Sequence, residues 1–262
     1  MVPRTGVSGG IGYAGRRRAV SEQRPAGPLG VRLGMFAIAA VVRPTMTVLM
    51  NNRWEGLENL PRGGFIMCPN HLTEIDPLLI GHLLHANGII PHFLAKDSLF
   101  RIPLLGRWLR LSGQIPVDRR GTAALESLGV ARSVIARGGA IVVYPEGTLT
   151  RDPALWPMRG RTGAARLAFE TGAPVIPVAH WGAHELVPQY ARRLHIFPRK
   201  TSRVVVGTPV DLNDLAVPGN DRAALEAATL RIQNATVALL ARLRGVAAPL
   251  QLFEPSTPHP LD

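Results

Sequence analysis

A histidine and an aspartate, His71 and Asp76, stand between two apolar runs. Residues 64–69 read as a buried strand, and residues 78–84 read as a helix. Pro77 disfavours the helical conformation at Asp76, yet proline suits the first helical position and aspartate is a strong N-cap. The helix is therefore expected to start at Asp76 or Pro77. Both side chains then fall in a strand-to-helix turn, where one carboxylate has lone pairs enough to cap the helix and to hold an imidazole N–H. Such a couple can take a proton from an alcohol, with the carboxylate fixing the tautomer and stabilising the imidazolium that forms. No serine or cysteine nucleophile is needed if the attacking hydroxyl belongs to the substrate. Taken alone, an H-x4-D pair fits a capping Asp beside an ordinary loop histidine just as well.

Three further stretches fall where a strand meets a loop, the place where ligand sites collect in α/β sheets. Residues 113–121 carry Gly113, Asp118, Arg119 and Arg120. The two arginines are expected to open a helix whose amides favour an anion, although a solvated turn reads the same way. Residues 144–152 follow the apolar run Ile141, Val142, Val143 and carry Glu146, Gly147, Thr148, Thr150 and Arg151. Thr148, Thr150 and Arg151 can donate to phosphate. Glu146 either meets the polar head of a substrate or serves the loop as a structural acceptor. Residues 173–182 read as a strand with Pro174 and Pro177, ending at His180, which reads as a neutral structural residue. Cys68 reads as a small buried residue and not as a thiol nucleophile. No HExxH or paired-histidine motif is present, so no metal site is expected.

The elements that must position these residues follow from an alternation of strand and helix signals. Strands are predicted at 65–69, 89–95, 114–117, 140–144, 175–179 and 203–207, and helices at 77–86, 99–111, 123–136, 161–171 and 222–244. Gly138-Gly139 and Gly172-Ala173-Pro174 each close a helix before a strand. This pattern predicts an α/β domain with a mostly parallel or mixed central sheet flanked by helices. Residues 1–28, rich in Gly, Pro, Arg and Ser, read as a disordered basic arm without a signal-peptide core. Residues 29–53 are apolar but broken at Arg43-Pro44. Neither half supplies the about 20 apolar residues of a membrane span. The expectation is a pair of short helices lying in a membrane interface, with two core helices of a soluble domain as the other reading. The proline-bearing tail, 247–262, reads as extended and loose.

Composition narrows the partners. The chain has 262 residues, 46% of them hydrophobic, and a net charge of +12 from 30 Lys+Arg against 18 Asp+Glu. Its length suits one large domain. The cations are arginine except for Lys96 and Lys200, and residues 1–53 hold eight arginines against the single acid Glu22. Arginine suits phosphate oxygens, so an anionic membrane surface is expected. Nucleic acid is not, because no zinc-ligand set, aromatic RNP-like run or heptads accompany the charge. A single cysteine rules out an intrachain disulfide and fits a reducing compartment.

Read together, NHLTEID, GQIPVDR, YPEGT and VIPVA stand in the order and approximate spacing of the four blocks of the glycerolipid acyltransferase family. The chain resembles the bacterial 1-acyl-glycerol-3-phosphate acyltransferases of the PlsC type, over about residues 54–210. The stretch from Trp156 through Trp181 is similar to their actinobacterial branch. The resemblance implies an acyltransferase domain at 54–246, with His71 as general base and Asp76 as its orienting carboxylate. It implies a glycerophosphate-binding block through Gly113, Asp118 and Arg119. Glu146, Gly147 and Thr148 correspond to the EGT block, and Pro177 to a proline tied to donor binding or packing. Two residues depart from the pattern: Pro116 where an aromatic is common, and Leu149 where arginine usually follows EGT. Arg151, Arg159, Arg161 or Lys96 then become candidates for the missing phosphate contact.

The implied activity is transfer of an acyl group from acyl-CoA or acyl carrier protein to the free hydroxyl of lysophosphatidate, without a cofactor. The implied place is the cytoplasmic face of the cell membrane, peripheral or monotopic, with residues 100–110 helping to dock. Glycerol-3-phosphate or a mannosylated phosphoinositide as acceptor, and a non-catalytic lipid-binding relative, are the competing expectations.

Overall fold

The computed structural model describes residues 29–117, 123–190, 193–216 and 221–254. The basic arm at 1–28, Asp118, Arg119 and Arg120 and the end of the tail lie outside the described residues.

Strand β2 (Phe65–Pro69) shows how the fold is built. Its side chains alternate in direction, as in any strand. Phe65 and Met67 join one buried cluster and Ile66 and Cys68 another. A strand buried on both faces reads as a continuous apolar run, and this one belongs at the centre of a sheet. The other strands are β1 (Met50–Glu55), β3 (Pro91–Lys96), β4 (Ile115–Val117), β5 (Ala140–Val142), β6 (Val175–Trp181) and β7 (Lys200–Val206). Among the described residues they form one seven-stranded sheet in the order β1-β7-β6-β2-β5-β3-β4, parallel throughout except at β6–β7.

Helices cover both faces. The cluster holding Phe65 and Met67 packs on α2 (Asp76–Ala86) and α6 (Ala183–Leu186). The opposite face packs on α4 (Ala123–Ala136), α5 (Gly163–Thr171) and α7 (Arg222–Arg244). The predicted α/β architecture with a mixed sheet is therefore the observed one.

The N-terminal segment departs from its expectation. Residues Leu29–Leu49 form one helix, α1, with Pro44 inside it. The Thr45 hydroxyl donates to the Val41 carbonyl and the Thr47 hydroxyl to the Arg43 carbonyl, each at 2.8 Å. Neither reaches the Ala40 carbonyl, whose i+4 donor Pro44 lacks, so they do not replace the bond that the proline removes. Met35, Ala39 and Met46 are buried along one side, so packing holds the helix through the proline. Its opposite side leaves Leu29, Leu33, Phe36, Val41 and Val48 exposed. By length and composition α1 could cross a membrane. Residues 50–53 do not belong to this segment either: they open β1, an edge strand paired in parallel with β7. The strand alternates in burial but is polar, MNNRWE, and so escaped a hydrophobic reading.

Helix α3 (Pro103–Leu111) lies across the N-terminal part of α1. The approach is close: a Cβ at Gly34 would sit 2.3 Å from the Leu111 carbonyl oxygen. The single predicted helix at 99–111 is divided, since a 3₁₀ turn, Asp97–Arg101, precedes α3. Part of the tail is not loose. Phe253 bridges to Met158 and its carbonyl accepts from Arg159 N–H, while the Arg159 guanidinium meets Glu254 at 2.8 Å.

Candidate active site

The turn between β2 and α2 is folded around one carboxylate oxygen. Asp76 opens α2 and is fully buried. Its Oδ2 accepts from the backbone N–H groups of Leu72 at 2.6 Å and Thr73 at 2.9 Å, and lies 2.9 Å from His71 Nδ1. Asp76 thus ties down the turn that precedes the helix. It does not act as the helix N-cap, a place Ile75 occupies without a side-chain bond. Its negative charge still lies at the helix N-terminus, where the dipole favours it. With Nδ1–H directed at a carboxylate, the imidazole is held in the tautomer whose Nε2 carries a free lone pair.

The rest of the turn is fixed from neighbouring strands. The His71 N–H donates to Glu146 Oε1 at 3.0 Å, and the His71 carbonyl accepts from Thr150 N–H at 2.8 Å. Glu146 Oε2 accepts from Met158 N–H at 2.9 Å, so this carboxyl links three segments. Burial pushes Glu146 up to about 8, against the downward pull of the Met158 and His71 N–H groups. Gly147, beside it, adopts φ 73°, a left-handed conformation that glycine takes without strain. On the other side Asn70 exchanges bonds with the backbone of His180, at 2.9 and 3.1 Å. His180 Nε2 lies 2.8 Å from the Asn70 carbonyl and 3.5 Å from Asp76 Oδ2. His180 is therefore a buried brace behind the couple, in line with its structural reading.

Tyr144 is the contributor the sequence did not single out. Its ring stacks on His71 with centroids 4.0 Å apart and 22° between planes. Burial, with the Asp76 charge next, holds its phenol well above the usual range, so it stays neutral. The signal available was an aromatic directly before the PEG turn. Cys68 is buried, and burial pushes its thiol up, so it offers no nucleophile.

His71 opens onto a cavity of about 650 Å³ lined mainly by apolar side chains of α1, α2, β3 and α3. Met35, Ala39, Leu78, Phe93, Leu105 and Leu109 form its walls. Lys96, Gly147 and Thr148 line it with His71, while Arg43, His82 and His85 add polar groups. Burial and the Arg43 charge hold both histidines below their usual range. The volume is ordinary for a small-molecule or lipid site.

The remaining expected site residues divide. Gly113 follows α3 with φ 72°; its carbonyl lies 2.7 Å from His92 Nδ1, and its place is a packing one. Pro177 is buried in β6, opposite Cys68, and its carbonyl accepts from Gly207 N–H, so it packs within the sheet and does not line the cavity. Arg151 is half-buried beside Met158, whose sulfur accepts its N–H. Arg159 pairs with Glu254 and Glu226, which leaves Lys96 as the one of the four candidate cations that lines the cavity. Asp118 and Arg119 lie outside the described residues. Among the described residues, no group of three or more His, Cys, Asp or Glu side chains could hold a metal ion.

Comparison with known proteins bears on the family and the fold. The acyltransferase family model matches residues 51–181, half of the 262-residue chain. The 1-acyl-sn-glycerol-3-phosphate acyltransferase BAT2 of Brassica napus is 27% identical over 159 residues, 60% of this chain and 44% of that protein. The 1-acyl-sn-glycerol-3-phosphate acyltransferase of Borreliella burgdorferi is 33% identical over 127 residues, 47% of this chain and 48% of that protein. The match thus spans about half the length of these relatives. In fold, the chain is similar to the crystal structure of the 1-acyl-sn-glycerophosphate acyltransferase PlsC from Thermotoga maritima. That likeness has a TM-score of 0.61 at 21% identity and covers 84% of this chain and 83% of that one. From the extent of the family match, with its His–Asp couple and blocks in place, the chain belongs to the acyltransferase family.

Proposed function

We propose that the protein acylates the free hydroxyl of lysophosphatidate, yielding phosphatidate for phospholipid synthesis, with acyl-CoA or acyl carrier protein as donor. The observation that carries this reading is the His71–Asp76 couple opening onto an apolar cavity of about 650 Å³. His71 Nε2 takes the proton of the acceptor hydroxyl as its oxygen attacks the thioester carbonyl. Collapse of the tetrahedral intermediate breaks the C–S bond, and the thiolate takes the proton from the imidazolium. Asp76 holds the ring throughout. Acid–base catalysis of this kind contributes about 10²–10⁴ in rate. Backbone N–H groups near the site carry the developing oxyanion. The acyl chain lies in the cavity, and Lys96, Thr148 and Arg119 meet the acceptor phosphate.

Membrane docking follows from the acceptor, since a lysolipid lies in a bilayer. Helix α1 packs on the domain along its inner side, so we infer that it lies in the interface and does not span. Its outer stripe, Leu29, Leu33, Phe36, Val41 and Val48, and the exposed Leu104, Trp108 and Leu111 of α3 meet the acyl chains. Arg107 beside them meets anionic headgroups, about 1 kcal/mol near such a surface, whereas Arg101 is already paired with Asp97 at 2.6 Å. We place the protein at the cytoplasmic face.

The test is an assay of purified protein with lysophosphatidate, glycerol-3-phosphate and a mannosylated phosphoinositide, each with both thioester carriers, with positional analysis of product. Lysophosphatidate is expected to be preferred, and His71→Ala to be inactive while still binding vesicles. Full activity in His71→Ala overturns the mechanism; preference for another acceptor overturns the substrate.

A further inference from the structure

The chain between α6 and β7 runs from the rim of the site to the far end of α1. At the rim, Tyr190 N–H donates to Glu74 Oε1 at 3.3 Å, and Gln189 Nε2 donates to the Thr150 carbonyl. At α1, Arg199 donates to the Thr47 carbonyl and, at 2.9 Å, to that of Met50. Between these anchors Leu194, Ile196 and Phe197 are 57%, 41% and 88% exposed. A tip tied at both ends that still presents apolar side chains to water calls for a partner, since burying such a side chain is favourable.

Charge identifies the partner. Between Glu185 and Asp211 the sequence holds no acid and five cations, Arg192, Arg193, Arg199, Lys200 and Arg203. Apolar tips flanked by arginine suit the boundary between anionic headgroups and acyl chains. The tip also adjoins the end of α1, where Arg199 holds the Thr47 carbonyl next in sequence to the exposed Val48. Helix α3 meets α1 at Gly34, and Arg199 meets it at Thr47, about 20 Å further along at the helical rise.

We propose that residues 194–197 form a second bilayer-inserting element, seating Ile196 and Phe197 in an anionic leaflet at the opposite end of α1 from α3. The inference rests on the membrane reading above. Contact at one end leaves the domain free to pivot on the surface. Contact at both ends lays α1 along the leaflet and turns the mouth beside His71, Glu74 and Thr148 toward the lysolipid.

The experiment uses the full chain. Cys68 is the only cysteine and is buried, so Phe197→Cys supplies one accessible thiol for an environment-sensitive fluorophore. With phosphatidylcholine vesicles containing phosphatidylglycerol, the label should shift to the blue and be quenched by nitroxides on the acyl chains. Phe197→Asp should weaken vesicle binding about tenfold, as loss of a buried phenylalanine requires. Its turnover of a short-chain acceptor in detergent should not change. A label that stays water-like on bound protein, or wild-type vesicle binding by Phe197→Asp, overturns the proposal. Phe36→Asp on α1 separates the two ideas. If it alone releases the protein, the loop proposal falls and the membrane reading stands; if neither variant does, the membrane reading falls too. Loss of acyl carrier protein binding in Phe197→Asp with vesicle binding intact assigns the loop to that acidic protein and overturns its insertion in lipid.

Discussion

Replacing Glu146 with glutamine should remove a pH dependence of stability that burial of this carboxyl builds into the fold. Burial raises Glu146 from 4.5 to about 8. Between those values the folded chain keeps a proton that the unfolded chain releases. The stabilisation is therefore complete below pH 4.5, falls as pH rises and is lost above about 8. Over the whole window the loss is of order 5 kcal/mol at 1.36 kcal/mol per pH unit. Between pH 6 and 8 it is about 3 kcal/mol, or about 6–12 °C in Tm for a chain of this size. Glutamine has no proton to lose. Its amide must face the Met158 or His71 N–H, so the variant starts less stable, and the slope decides, not the level. Burial holds His82, His85, His92 and His184 below their usual range and tilts the baseline the opposite way, a tilt common to both proteins. The assay is denaturation of both proteins at a series of pH values. Wild type should lose ground steadily to Glu146→Gln from pH 6 to 8. Parallel curves would mean an ordinary, ionised Glu146 and would refute the reasoning.

Two further outcomes are expected. Asp76→Asn should lower kcat by about 10²–10⁴ with the acceptor KM little changed, because the ring loses its anionic partner while the cavity stays intact; a change in KM alone would refute it. Gly34→Val should destabilise by about 1–3 kcal/mol, since its Cβ would meet the Leu111 carbonyl at 2.3 Å, and should widen the range of acyl lengths accepted as α1 lifts from α3. Thermal denaturation and a donor-length series check it.

Periodicity located six of the seven strands among the described residues because they are apolar. It missed β1, whose place depends on pairing with β7, about 150 residues away in sequence. It split α1 at Pro44 because the local cost of proline is visible in sequence. The compensation is not: it is a buried side of Met35, Ala39 and Met46 that packs on the domain. The His71–Asp76 contact was legible because both residues belong to one turn. The stacking of Tyr144, the brace of His180 and the link through Glu146 were not, since each reaches across strands. The role of Asp76 differed for a local reason. Its Oδ2 takes the two turn N–H groups that precede the helix and does not cap the helix itself.

Sheet order explains how blocks scattered along the sequence come to one place. The His71–Asp76 turn leaves the C-terminal end of β2. Glu146 and Thr148 follow β5, and His180 lies near the end of β6. Strands β5 and β6 are the two neighbours of β2, and all three run in the same direction. Their C-terminal ends must therefore lie side by side, and residues 75 or 110 positions apart become hydrogen-bond partners. Block GQIPVDR leaves β4 at the sheet edge, two strands beyond β5. Lys96 ends β3, the strand next to β5, and lines the cavity with His71. The edge position of β4 explains why a proline is tolerated at position 116: among the described residues β4 pairs only with β3, and on an edge strand a missing N–H faces no partner.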